Sequence, residues 1–310
     1  VKNSQAIAIL WHSGNSLKIF RTQRDAVPGQ LKNNQDNRHV TEKTLPLLIE
    51  PEALASQLDR HDILIVDLSD APLYQQQHIP GAVRLEYSRL LANRPPVMGL
   101  LPAEEALAEA LAAIGMTPET HIIAYDNETN NRACRFLWTL DVIGHRHFSL
   151  LNGGLSAWLR EDYPVDDRLP DVEPSTLSIR YNDEHRADKA YILAHLDDSG
   201  VLILDTRSAA EYAGTDRRAQ RAGHIPRAIN IEWTQAIDRQ NNMKFKPADQ
   251  LQALYSDAGI TPDKEVIVHC QTHQRSSHTY MVLKSLGYTR LKGYPGSWSE
   301  WGNAPDTPIE

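Results

Sequence analysis

The sequence predicts an α/β fold of two similar domains, each a mainly parallel sheet with helices on both faces. Three observations predict it. The 310 residues leave room for two domains at roughly 150 residues each. Blocks of sequence recur in the same order at a nearly constant offset. Within each copy, short β-branched runs alternate with helical patterns.

The recurrence is specific. Ile63–Asp67 resembles Val201–Asp205 at an offset of 138, and His78–Val83 resembles His224–Ile229 at 146. Ile114–Pro118 resembles Ala258–Pro262 at 144, and Gly153 and Trp158 resemble Gly296 and Trp301 at 143. The second copy gains eight residues around Gly214–Arg221.

Composition narrows the function. With 41% apolar and 23% charged residues the chain has an ordinary globular composition. A net charge of -8 speaks against a nucleic-acid binder and against a polybasic membrane-surface protein. No run approaches the about 18 apolar residues of a membrane-spanning helix. Two cysteines, Cys134 and Cys270, are too few for a disulfide framework and suit a reducing, cytoplasmic setting.

Taken in order, residues 1–44 read as a flexible leader or a start-site artefact, with six Lys/Arg against two Asp before Thr41. Residues 45–165 form the first domain. Its strands are Ile63–Asp67 and His121–Tyr125, whose near-continuous apolar character suits a sheet covered on both faces. Between them, Pro102 to Ile114 places Leu107, Leu111 and Ile114 at helical spacing, with Glu104 and Glu105 in the first turn. Residues 166–175 are a linker by composition, with prolines among acids. Residues 176–310 form the second domain, with strands Val201–Asp205 and Glu265–His269 and a helical pattern over Pro247 to Ala258.

The chemistry concentrates after Glu265–His269. That strand runs into Cys270-Gln271-Thr272-His273-Gln274-Arg275, and a helical pattern with Tyr280, Leu283 and Leu286 follows. Ligands of open α/β sheets bind outside the carboxyl ends of strands. A tight loop entering a helix points backbone N–H groups inward and favours an anion. The same field lowers a thiol pKa, so Cys270 reads as a nucleophile. Arg275 adds a fixed positive charge for an oxyanion. His269 and His278 read as packing or surface histidines, and His273 as a shape and contact residue of the loop. In the first copy Asp126 takes the cysteine's place, and Arg132 aligns with Arg275. Cys134 aligns with Ser277 and reads as a buried, inert thiol.

These residues resemble the rhodanese family of sulfurtransferases in its two-domain form. Tyr74, His78, Ile79, Pro80, Gly81, Ala82 and Leu85 match its amino-terminal signature. Tyr294 to Trp301 matches its carboxy-terminal signature, with Leu291 where Ala or Val is usual. The Cys270–Arg275 loop is similar to the active loop of bacterial thiosulfate sulfurtransferases. The resemblance implies tandem rhodanese-like domains. It implies transfer of a sulfane sulfur from thiosulfate, through a Cys270 persulfide, to a thiophilic acceptor such as cyanide. Gln271, Thr272, His273 and Gln274 would line the sulfur site with Arg275, and Arg207 would be a second cation. Asp205 would be a structural hydrogen-bond partner, and the first domain would be non-catalytic. No metal or organic cofactor is implied. The partners implied are a small-molecule donor and acceptor, with a protein sulfur acceptor as a further option.

Alternatives stay open at this level. Cysteine-dependent phosphatases use Cys-x5-Arg, a cradle one residue larger than the one here. 3-Mercaptopyruvate sulfurtransferases usually carry small neutral residues after the cysteine. A persulfide carrier serving a partner's sulfur relay is compatible with the same loop.

Overall fold

The computed structural model describes residues 45–310, so the leader read over 1–44 lies outside the described residues. The first half runs β1 (Leu48–Ile49), α1 (Pro51–Ala55), β2 (Ile63–Asp67), α2 (Ala71–Gln76), β3 (Val83–Arg84), β4 (Ala92–Arg94), β5 (Val97–Leu100), α3 (Glu104–Ala112), β6 (His121–Tyr125), α4 (Asn131–Val142), β7 (Phe148–Leu151) and α5 (Gly154–Arg160). The second half runs α6 (Lys189–Ala194), β8 (Val201–Asp205), α7 (Ala209–Tyr212), β9 (Ile229–Asn230), β10 (Ile237–Asp238), β11 (Lys244–Phe245), α8 (Ala248–Ser256), β12 (Glu265–His269), α9 (Arg275–Ser285), β13 (Leu291–Gly293) and α10 (Ser297–Trp301).

The duplication is visible in topology. The first sheet has the order β1-β7-β6-β2-β3 and the second β13-β12-β8-β9, with parallel pairing throughout both. The strand equivalent to β1 is reduced in the second half to one parallel bridge, Arg186 to Gly293. The central strands β6 and β12 each end beside a loop that enters a long helix. Strand order and chain direction therefore bring Asp126 and Cys270 to equivalent sheet edges.

Each sheet is buried on both faces, as its apolar runs require. One face of the first sheet packs Ile65, Ile123, Leu151 and Trp158 together, and the second sheet packs Ile203, Ile267, Trp298 and Trp301 likewise. The other faces share one apolar layer, in which Trp138 and Leu140 of α4 meet Tyr280 and Leu283 of α9. Asp141, wholly buried in that layer, accepts from Tyr280 Oη at 3.0 Å and pairs with Lys284 at 2.9 Å. A carboxylate left unpaired there would be costly, so these contacts fix how α4 meets α9.

The signature residues are pins. Tyr74 Oη donates to the Ala82 carbonyl at 2.7 Å, and Tyr212 Oη to the Ala228 carbonyl at 2.6 Å. His78 stacks on Tyr74 and His224 on Tyr212, with ring centroids 4.2 and 3.7 Å apart. The eight-residue insertion is looped out between Tyr212 and His224 without breaking that stack. Trp158 Nε1 and Trp301 Nε1 donate to the carbonyls of Pro164 and Pro308. Replacing either Trp by Ala would cost about 3–5 kcal/mol by the usual core rule.

Residues after Asp166 run along the first half. Ser175 donates its N–H to Ala112, Tyr181 to Glu104 and Asn182 to Val142. Among the described residues no helix is long and apolar enough to cross a membrane.

Candidate active site

Strand β12 delivers Cys270 to the carboxyl edge of its sheet, where the chain turns through 271–274 into α9. The turn needs His273 in the left-handed region, at φ 60°. Asn130 takes the same conformation, at φ 61°, in the first-half loop. Non-glycine residues there are uncommon and mark a loop held in shape by its surroundings.

Cys270 is a free thiol, 1% exposed at the base of the loop. Burial pushes its pKa up, but the Arg275 charge, the Ser276 hydroxyl and the N–H groups of Ser276 and Thr272 outweigh burial and hold it below the ordinary cysteine value. The first half shows what such a loop does to an anion. Asp126 Oδ1 accepts the N–H groups of Glu128 and Asn130 at 2.9 Å, and Oδ2 those of Arg132 at 2.9 Å and Ala133 at 3.2 Å. A carboxylate built into the chain fills that cradle, and no thiol stands there. Cys134 lies nearby on α4, wholly buried, with its pKa pushed well up by burial.

Arg275 opens α9 and is clamped by Glu211, with Nη1 and Nη2 donating to its two carboxylate oxygens at 2.7 and 2.9 Å. Glu211 is the N3 residue of α7, where it also closes a capping box with Ser208. Burial raises the Glu211 pKa, but Arg275 more than offsets it and brings it down to about 2. Held there, the Arg275 charge still acts on Cys270 and favours its thiolate. Arg218, from the inserted segment and half exposed, lies 3.9 Å from Glu211 on the open side.

Other expected site residues are placed differently. Arg207, expected as a second cation, lies inside the fold. It is 1% exposed, bound to both Asp205 oxygens and to the Gly223 carbonyl at 2.8 Å, and stacked over Trp298 at 4.4 Å. Asp205 is wholly buried, and the Arg207 guanidinium is its counter-charge. His273 turns its ring inward, against Trp138 at 4.3 Å and onto Ser276 Oγ at 2.7 Å. Its pKa is pushed well below the histidine range by burial, which keeps it neutral. Gln271 Nε2 donates to the Arg218 carbonyl at 3.1 Å, and Gln274 Nε2 to Asn131 Oδ1 at 2.9 Å. Thr272 packs its backbone on Gly99 of β5. His269 and His278 are both buried packing residues, His278 between Trp233 and Phe245.

Sequence reasoning missed Glu211, Arg218 and Arg135. Arg135 of α4 donates to the carbonyls of Thr272 at 3.3 Å, His273 at 3.4 Å and Gly99 at 2.7 Å. An arginine inside the apolar stretch Ala133–Leu140 was the one available signal, since nothing local says what it faces. Among the described residues no cluster of His, Cys, Asp and Glu could hold a metal ion.

Fold and site define a duplicated α/β chain with one cysteine-centred anion cradle. The model of the rhodanese-like domain matches residues 50–161 and 188–304, and the chain belongs to that family. A thiosulfate sulfurtransferase of Pseudomonas aeruginosa is 46% identical over 86% of this chain and 97% of its own length. A sulfur carrier protein of Thermus thermophilus is 34% identical over 85% and 96%. A 3-mercaptopyruvate sulfurtransferase of Escherichia coli is 31% identical over 83% and 95%. Among solved structures, an anaerobic ergothioneine biosynthesis enzyme from Chlorobium limicola has the same fold. Its TM-score is 0.77 at 21% identity, covering 85% of this chain and 70% of that one.

Proposed function

We propose that this chain is a thiosulfate sulfurtransferase working through Cys270. The observation that carries the reading is a thiol whose ionised form is favoured by Arg275 and by loop N–H groups. The 46% identical Pseudomonas relative supports thiosulfate as donor. The Cys270 thiolate attacks the outer sulfur of thiosulfate, the S–S bond breaks, and sulfite leaves with the electron pair. The Cys270 persulfide that remains is a covalent intermediate. Cyanide then attacks its terminal sulfur, thiocyanate departs, and the thiolate is restored. No oxidant is consumed and no cofactor takes part. Loop N–H groups stabilise the persulfide anion as an oxyanion hole would. Arg275, turned by Glu211, orients the donor, while Gln271, Thr272 and Gln274 shape the site.

The reading extends to a protein thiol as an acceptor, supported by the sulfur carrier relative, and to a cytoplasmic setting, supported by two free thiols. Thiocyanate formation from thiosulfate and cyanide tests it. Cys270→Ala abolishes the product and Cys134→Ala leaves it. A Cys270→Ala protein that still makes thiocyanate overturns the reading, as does preference for 3-mercaptopyruvate over thiosulfate.

A further inference from the structure

Arg135 is a wholly buried cation on the helix of the half that carries no catalytic cysteine. Among the described residues no carboxylate pairs with it. The other wholly buried arginine, Arg207, has Asp205. A buried charge without a counter-ion is expensive, and neutral carbonyls only partly offset it. Burial draws the Arg135 pKa down to about 10, which leaves the guanidinium charged at neutral pH.

Its hydrogen bonds have a direction. Nη1 holds the carbonyls of Thr272 and His273, and Nη2 holds that of Gly99. In a trans peptide the C=O and the next N–H point oppositely. Turning those two carbonyls toward Arg135 therefore turns the N–H groups of His273 and Gln274 away from it, to the other side of the loop. The guanidinium also lies over the Trp138 ring at 4.7 Å, and Trp138 is fixed by its bond to the His185 carbonyl at 3.0 Å. At the 143-residue offset Arg135 corresponds to His278, which is packed between Trp233 and Phe245. The halves thus differ at two paired positions: the loop with a built-in carboxylate lacks this cation, and the loop with a thiol has it.

We propose that Arg135 is a positioning residue for sulfur transfer, whose counter-ion is the Cys270 thiolate or persulfide across the loop. It pins the loop in its anion-binding form from behind and supplies the charge that the anion answers. The transfer step rests on the function proposed above, whereas the effect on the thiolate does not. This gives the first half a role beyond packing.

The test uses the full chain with Arg135→Met and Arg135→Lys. The rate of Cys270 alkylation by iodoacetamide is followed against pH, alongside thiosulfate kinetics and thermal unfolding. Arg135→Met moves the alkylation inflection up by about one pH unit or more, roughly a tenfold loss of thiolate at neutral pH. It lowers kcat about tenfold or more while KM for thiosulfate changes less than about twofold. Arg135→Lys keeps the charge but not the three-carbonyl reach, so it recovers part of the inflection and less of kcat. A folded Arg135→Met protein with unchanged inflection and kcat overturns the proposal. If Arg135→Met does not fold, a folded Arg135→Lys protein with unchanged kcat overturns it. If the unaltered chain transfers no sulfur from thiosulfate, yet its inflection still moves in the variants, the function fails and the thiolate role stands.

Discussion

Asp126 and Cys270 occupy one position twice: each is the first residue past the central strand of its sheet, and each is 1% exposed. The carboxylate satisfies its loop by itself, with four backbone N–H groups bound. The thiol does so only when ionised. One duplicated scaffold therefore holds a filled cradle in its first half and a thiol in the equivalent place in its second.

The Arg275–Glu211 pair bears on binding and stability at once. Arg275→Ala strips the thiolate of its nearest charge and leaves Glu211, 2% exposed, without its partner. The expected outcome is a strongly raised KM for thiosulfate, a higher alkylation inflection and a loss of about 2–3 kcal/mol in urea unfolding. The double variant Arg275→Gln with Glu211→Gln recovers most of that stability without recovering KM, because the buried charge is gone but the donor clamp is not restored. An unchanged KM in Arg275→Ala would make Arg275 structural only.

Four strands were legible because parallel strands buried on both faces read as unbroken apolar runs, and Ile63–Asp67 and Glu265–His269 have the ends the sequence indicates. The cradle was legible because strand, cysteine, loop and arginine are contiguous. The partners of that loop were not. Glu211 lies 64 residues from Arg275, and Arg135 lies 137 from Thr272, so only the folded chain joins them. Arg207 illustrates the converse. Its place two residues after Asp205 at a strand end put it near the site, but the direction of its side chain is set by Asp205 and Trp298.

Acid should destabilise the protein early. Burial lowers the pKa of His121 to about 4 and of His278 to about 3, against an ordinary value of 6.5. The unfolded chain then binds protons that the folded chain refuses. Stability from these groups is whole above pH 6.5 and is lost as pH falls through about 4 and then about 3. Urea midpoints should hold from pH 7.5 to 6.5 and fall steadily from there to pH 4, and His278→Leu should make that fall shallower. A midpoint that does not change between pH 7 and 5 would contradict this.

Gly99 couples the first half to the Cys270 loop through shape as well as through its carbonyl's bond to Arg135. Its φ is +79°, and a β-carbon there would strike the Thr272 carbonyl and side chain. Both objections hold at once, so Gly99→Ala costs backbone strain and displaces the loop. Thiocyanate formation should fall several-fold in kcat while the protein stays folded, since the β5 edge can retreat. Normal kcat in Gly99→Ala would mean that the loop keeps its form without this contact.

Arg207 separates a buried structural cation from a donor-binding one. Its removal bares Asp205, which is wholly buried and has the buried His269 ring 3.7 Å away. Breaking one side of such a pair typically costs about 3–5 kcal/mol. Arg207→Met should therefore lower the urea midpoint sharply, while any folded fraction keeps its KM for thiosulfate. Arg207→Met paired with Asp205→Leu should regain much of the loss, because no unpaired charge is then left at that position. A variant with native stability and a raised KM would instead put Arg207 in the donor site, against its bonds to Asp205 and Gly223.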